Sequence, residues 1–455
     1  MAISVGLNSA MRALLAQQQA MDAVAHNVAN VNTPGYSRQR VILQQAGSVT
    51  LAGIGGGVDF KGIERIRDQF VDIQSRTEAG TAGDYHARAT SLANVEATLG
   101  QIGQGGLQDS MDQFFNSWRD LANAPEQSAV RAGVIQAGED FVTTVNRIAQ
   151  SLENARRDAN NRVATDISEV NSLSQRLAFL NGQIVETRAT GNPASDLSDE
   201  RDQTLDRLSH LVDVYTVQND SGSIDVFVGG RSIVSGTNAQ QIDLIRNPAN
   251  GNYYDLEWKI DGDPVNLRGG EVGGLLYQRD TDIPGRIASL DALVSQIATD
   301  VNTAHAAGYA QDGVTTGTPF FTGTSAISLG MDASVVANPG LLAAATATGS
   351  IGDGRNAQAV ADLQQALSMS GGSEDYSAFL NGIITNVGVA ARDAEWRATS
   401  QDAQLAHLNA MRQSASGVNI DEEMVAMVQY QRGYEAAARV IKSIDEMLDS
   451  LLRLA

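Results

Sequence analysis

Residues 25–41 read AHNVANVNTPGYSRQRV. Residues at helical spacing run into this stretch from the N-terminal side. Leu7, Met11, Leu14, Gln18, Met21, Ala25 and Val28 fall on alternating steps of four and three, a heptad seam with one polar interruption. The helix stops soon after. Pro34 disfavours the α conformation at Thr33, and Pro34-Gly35 suits a type II turn in which Gly35 supplies the positive φ. Asn27 and Asn30 lie one turn apart on one face, near an end where asparagines cap helices or meet solvent more often than they bind ligands. The stretch reads as a joint that sets the direction of the chain, with Tyr36 and Arg38 holding the exit against a neighbouring domain.

The other end of the chain carries the same kind of ladder. Ile420, Met424, Met427, Tyr434, Ala438, Ile441, Leu448 and Leu452 follow it, and Glu422, Glu423, Arg432, Glu435, Arg439 and Asp449 mostly fall off it. Each end predicts a helix of roughly 30 residues, about 45 Å long. Each has a one-sided apolar stripe and no nearby core to bury it in. Either stripe alone fits an ordinary amphipathic surface helix. Matched stripes at both extremes, where chains ordinarily fray, favour pairing of the two termini.

Between the ends, 62–121 and 126–190 read as long helices. Val142, Val145, Ile148 and Leu152, then Val163, Ile167, Val170, Leu173, Leu177, Leu180 and Ile184, keep three-four spacing. Pro125 suits a helix start, and Gly191-Asn192-Pro193 marks a break. From about 211 the period becomes two. Ile224, Val226 and Val228 alternate with Asp225 and Phe227, and Leu256, Trp258 and Ile260 with Glu257, Lys259 and Asp261. Helical period returns at 284–305, residues 307–355 are rich in Gly, Thr, Ser and Ala, and helix resumes near 356 with a weak point at 414–417. The expected fold is mainly α with an inserted β domain, elongated and multidomain. The expected units are 1–38 with 416–455 as an inner domain of paired terminal helices; 39–190, 272–312 and 356–415 as a long-helix domain; 191–271 as an outer β domain; and 313–355 as a loop or short-strand insert.

Composition narrows function. The 455 residues carry a net charge of −21, too long a chain for one core and too acidic for nucleic acid or anionic lipid as default partners. Aromatics are only 5%, which points to thin helix-on-helix cores. There are no cysteines, hence no disulfides, thiol nucleophiles or thiolate-bound metals. No signal peptide and no membrane span are visible. The five histidines are not spaced as metal ligands. GIGGGV at 53–58 lacks the third glycine of a dinucleotide fingerprint and the Lys-Ser/Thr of a P-loop, so it reads as a turn. Asp261 and Asp263 flank Gly262 but do not continue as a calcium loop. SDERD at 198–202 reads as a helix start, with Ser198 as cap and Asp199 and Glu200 at the positive end. No catalytic residue, cofactor or metal is expected.

Two long stretches add a resemblance. GLNSAMRALLAQQQAMDAVAHNVANVNTPGYSRQ at 6–39 resembles the N-terminal signature of the bacterial flagellar axial proteins, the rod, hook and hook-associated subunits. GVNIDEEMVAMVQYQRGYEAAARVIKSIDEMLDSLL at 417–452 resembles the C-terminal half of that signature. DLSDERDQTLDRLSHLVDVYTVQNDSGSIDVFVGG at 196–230 and GEVGGLLYQRDTDIPGRIASLDALVSQIATDVNTAHAAGYAQDG at 270–313 are similar to the hook-associated protein 1 branch, the first hook–filament junction proteins. Residues 313–355 depart from it, being short and poorly patterned.

The resemblance implies a structural junction subunit that assembles as a ring through its paired terminal helices, extracellular and exported by the flagellar type III route without a cleaved signal peptide. It implies as partners the hook protein, further copies of the chain, the second junction protein that leads to flagellin, and an export chaperone at the C-terminal region. The assembly motif would comprise Leu7, Met11, Leu14, Met21, Asn27, Asn30, Asn32, Pro34, Gly35, Tyr36 and Arg38, with Ile420, Met424, Met427, Tyr434, Ala438, Ile441, Leu448 and Leu452. A hook or distal-rod protein is the alternative within the class. A secreted coiled-coil adhesin or effector would require a ligand for the β unit, and a peptidoglycan hydrolase would require an enclosed acid–base pair.

Overall fold

The computed structural model describes residues 2–47, 56–99 and 106–454, so Gly53, Ile54 and Gly55 of the glycine-rich stretch lie outside the described residues. The first helix, α1 (Ala2–Ala29), packs antiparallel against the last, α11 (Ile420–Leu454). Gly6 meets Ile444, Gln17 meets Gly433, and Asn27 meets Glu423, so positions rise on one helix as they fall on the other.

The seam lies one residue before the expected ladder on both helices. On α1 the buried or half-buried positions include Gly6, Ala10, Gln17, Ala20, Val24 and Asn27. On α11 they include Glu423, Ala426, Tyr430, Gly433, Ala437 and Ile444. Small residues dominate the contact because helix axes approach most closely where side chains are shortest. The larger apolar residues stand on the flanks. Leu7, Leu14, Met21, Met427, Tyr434, Ala438 and Ile441 are half-buried, whereas Met11, Ile420, Met424, Leu448 and Leu452 are exposed.

The helix expected from residue 62 is a strand at its start. β1 (Gln39–Gln45) and β2 (Val58–Arg65) form an antiparallel hairpin beside α1, with a bulge between Ile42 and Leu43. Leu43 and Phe60 are exposed, so the hairpin lacks the clean alternation that marks a half-buried strand. Helix follows only at α2 (Gln69–Leu99) and α3 (Leu107–Asn123).

The body has two cores threaded by one helix. α4 (Ser128–Ala189) has 62 residues and is about 93 Å long at the α-helical rise. Its first half packs with α3, α7 (Ile283–Ala307), α9 (Arg355–Asp362) and the start of α10 (Tyr376–Ser416). Phe114, Phe115, Trp118, Phe141, Phe320, Phe321 and Tyr376 form a chain of ring contacts in this core. Residues 313–355 contribute to it, with Phe320, Phe321, Leu329, Val335 and Leu342 buried there beside two short strands and a short helix. Buried His305 clamps this insert, its Nδ1 bonding Thr318 O at 2.7 Å and its Nε2 accepting from Ala343 N at 3.0 Å.

The second half of α4 packs with α5 (Ser195–Leu211), α6 (Gly270–Tyr277) and the β unit. That unit is a meander of β3 (Val214–Gln218), β4 (Ile224–Val228), β5 (Arg231–Ser235) and β6 (Asn238–Ala239), beside a hairpin of β7 (Ile242–Asn247) and β8 (Tyr253–Trp258). Ile224, Val226 and Val228 are buried as their alternation requires. β8 ends at Trp258, and Ile260 is exposed in the following turn. The molecule is thus mainly α with an inserted β region and a long C-terminal helix.

Ala20 is fully buried at the helix–helix seam. Ala20→Leu is expected to overpack it and cost about 1–3 kcal/mol. Hydrogen exchange should rise in α1 and α11 and stay unchanged in α3, α4 and α7; equal exchange throughout would contradict the seam.

Candidate functional site

The turn after α1 adopts the conformation its residues require. Tyr36 N donates to Thr33 O at 3.2 Å across Pro34 and Gly35, and Gly35 has φ of 76°. A Cβ on Gly35 would lie 2.1 Å from the Gln203 side chain, whose Nε2 donates to Pro34 O at 2.6 Å. Asn30 Nδ2 donates to His26 O at 3.0 Å and Thr33 Oγ1 donates to Asn30 Oδ1 at 3.1 Å, so Asn30 finishes the helix. Asn32 and Pro34 are exposed.

Asn27 is not at the solvent. It is buried, and its amide has all four hydrogen-bonding positions filled. Oδ1 accepts from Gln39 N at 2.9 Å and from Tyr36 Oη at 2.8 Å. Nδ2 donates to Gln39 O at 2.9 Å and to Glu423 Oε2 at 3.0 Å. One side chain on α1 therefore satisfies both backbone groups at the start of β1, the tyrosine of the turn and a carboxylate of α11. No other residue type offers two donors and two acceptors at that reach. Arg38 completes the link: its Nε lies 2.7 Å from Glu423, its Nη1 2.8 Å from Glu422, and its backbone N donates to Ser416 O at 2.9 Å. Tyr36 is pushed upward in pKa by burial, then by Asp196, Asp199 and Glu423, so its hydroxyl stays a donor.

Behind this turn lies a charge network that the sequence reading did not assemble. Asp196, Asp199, Asp202 and Asp206 recur at three or four residues, which puts them on one face of α5. Ser198 is not the cap: Ala194 occupies that position in a left-handed conformation, and Ser198 Oγ donates back to Ala194 O at 2.8 Å. Asp199 accepts from Ser37 N at 3.0 Å, Ser37 Oγ at 2.6 Å and Arg65 Nη1 at 2.6 Å. Asp202 lies within 3.2 Å of Arg65, Arg67 and Arg76. Arg67 grips Asp72 with two bonds of 2.8 Å, and Arg412 of α10 reaches both Asp72 and Asp206 at 2.8 Å. Four arginines and four aspartates thus bolt the hairpin, α2, α5 and α10 to the turn. The available signal was the acidic periodicity of α5 combined with RIR at 65–67.

The charged groups of the network pair chiefly with one another, and no group of three or more His, Asp or Glu among the described residues is placed to hold a metal. No described helix is long and apolar enough to cross a membrane.

Asn27→Ala is expected to strand Gln39 N and Gln39 O, costing about 1–3 kcal/mol per buried unpaired group, while Glu423 keeps Arg38. Amides of α1 and α11 should then exchange faster, and unchanged protection would refute the linkage. A second expectation concerns pH. Burial pushes the Asp202 carboxyl up, but Arg67, Arg76, Arg65 and Arg201 outweigh burial and hold it below the usual carboxylate range. A depressed folded pKa means stabilisation that is full above about pH 4, the unfolded value, and is lost as pH falls through the lower folded value. Asp202→Asn should lower stability at pH 7 by about 3–5 kcal/mol and flatten the acid limb of urea midpoints against pH. An acid limb as steep as the parent's would count against Asp202 as its source.

Comparison with known proteins agrees with this architecture. Residues 92–321 match the flagellar hook-associated protein FlgK helical domain. Residues 7–36 match the flagella basal body rod protein family, and 412–454 match the flagellar basal body rod FlgEFG protein C-terminal family. The chain is 30% identical to flagellar hook-associated protein 1 of Bacillus subtilis (strain 168), over 98% of this chain and 97% of that one. It is 24% identical to flagellar hook-associated protein 1 of Escherichia coli (strain K12), over 98% and 99%. The solved structure of the flagellar hook junction protein FlgK from Burkholderia pseudomallei shares the fold, with a TM-score of 0.66 at 15% identity, covering 76% of this chain and all of that one. With a relative at this identity spanning nearly both full lengths, and the helical-domain match at 92–321, the chain belongs to the flagellar hook-associated protein 1 family of structural flagellar proteins.

Proposed function

We propose that this chain is the subunit that joins the flagellar hook to the filament, laid down as a ring of copies through its paired terminal helices. The observation that carries the proposal is the apolar surface that the pair leaves uncovered. Met11 and Leu15 on α1, with Met424, Val425, Val428, Val440, Met447, Leu448 and Leu452 on α11, are exposed. Clustered exposed apolar side chains mark surfaces that bind other proteins. Each such side chain contributes roughly 1.5–3 kcal/mol when fully buried, so a few per copy hold a subunit in place without chemistry. The neighbours proposed for these faces are the hook protein, further copies of the chain and the second junction protein. An export chaperone at the C-terminal region would cover α11 until delivery by the type III route.

The matches of both ends to rod proteins support a second reading, a hook or distal-rod subunit. The helical-domain match over 92–321 favours the junction. Leu448→Asp changes an exposed residue and is expected to leave the fold intact. In a strain carrying only this variant, microscopy should find hooks without filaments, and flagellin should appear in the medium. Filaments attached as in the parent strain would refute the role of this face, and loss of the hook itself would favour the second reading.

A further inference from the structure

A cleft of about 750 Å³ opens where β2, the start of α2, the α4–α5 link and strands β3 and β4 meet. Lys61, Arg65, Arg67, Arg76, Arg188 and Arg201 line it, against three carboxylates, Glu64, Asp72 and Asp202. This excess of positive charge stands in a chain of net charge −21. Part of it has no internal use. Arg65, Arg67 and Arg76 are taken up by the aspartates of the joint. Arg188 and Lys61 meet no carboxylate among the described residues.

Arg201 is the informative member. It is only 2% exposed, it lines the cleft, and its Nε has no partner among the described residues. Its Nη1 donates only to neutral oxygens, Gly222 O at 2.7 Å and Asn181 Oδ1 at 3.4 Å. Burial draws its pKa down to about 10, with Asp202 opposing and Arg65, Arg188 and Arg76 reinforcing the effect. A buried guanidinium short of an acceptor is costly, and an anion that enters the cleft relieves both the missing bond and the arginine–arginine repulsion.

We propose that this cleft is an oxyanion site that takes a phosphate, sulfate or carboxylate group, bound by Arg201 from the buried side and by Arg188 from the rim. Arginine suits such groups because its planar fork bonds two oxygens at once. The group has two possible sources, a free ion or a carboxylate of a neighbouring copy.

Inorganic phosphate titrated into the full-length protein, at fixed ionic strength against chloride, is expected to raise the melting temperature saturably. Arg188→Gln removes an exposed cation with no carboxylate partner, so it should leave the melting temperature in chloride unchanged and weaken phosphate binding about tenfold. Glu64→Gln removes a negative charge from the same wall and should tighten binding. A wild-type response no larger than in chloride, or equal phosphate affinity in all three proteins, overturns the proposal. Sedimentation at concentrations where copies associate separates the sources. Phosphate that lowers the associated fraction identifies a neighbour's carboxylate as the native occupant, and association indifferent to phosphate identifies a free ion.

Discussion

Asn27 and Glu423 are 396 residues apart in sequence and 3.0 Å apart in space. Closing a flexible loop of that length costs on the order of 5 kcal/mol in chain entropy, more than one hydrogen bond returns. The intervening fold removes most of that cost. Once α2, α5 and α10 are assembled, Arg38 N meets Ser416 O at 2.9 Å, and each terminal helix starts from that shared point. The terminal pair depends on the joint, and the joint depends on an amide whose every bonding position is filled. A buried polar cluster of this kind contributes little net stability against an apolar alternative, but it admits few geometries. A subunit whose helices must leave the body in a fixed direction needs that restriction more than it needs extra stability.

The pairing of α1 with α11 was legible because their apolar stripes match, although either stripe alone fits an ordinary surface helix. Its register was not. The ladder chosen for hydrophobicity, Leu7–Met11–Leu14 and Met424–Met427, lies one residue beyond the seam, where Ala10, Ala20, Gly433 and Ala437 let the backbones approach. Hydropathy ranks leucine above alanine, whereas close helix packing ranks them the other way. The hairpin at 39–65 is not legible in the sequence, because exposed Leu43 and Phe60 blur its period of two. The turn at 33–36 is legible, since proline fixes its own φ and glycine takes the positive φ that follows without steric cost. The full set of partners of Asn27 was beyond reach, because Gln39, Tyr36 and Glu423 come from β1, the turn and α11, and only the tertiary fold brings α11 there.

The placement of hydrophobic bulk also divides labour between assembly and folding. Within the subunit, the terminal helices are held by small residues at the seam and polar residues at the joint. The side chains with the most area to bury are held in reserve on the outside. The two helices can therefore be in register within one chain while Met11, Leu15, Met424 and Leu452 remain exposed. Acidic residues between the apolar ones on α11, such as Asp421, Glu435 and Asp449, keep that surface soluble in the meantime.

Helix α4 passes through both cores of the body without a break. Its backbone hydrogen bonds form one continuous column, so the aromatic core and the β-bearing core share a single spine. Loss of either core frays the helix that orders the other, and their melting is thereby coupled. The terminal pair has no such spine; it meets the body at the joint and along the β1–β2 hairpin, where Arg12 pairs with Asp59 at 2.6 Å. The two cores are accordingly expected to melt together, and the terminal pair to open at its ends first.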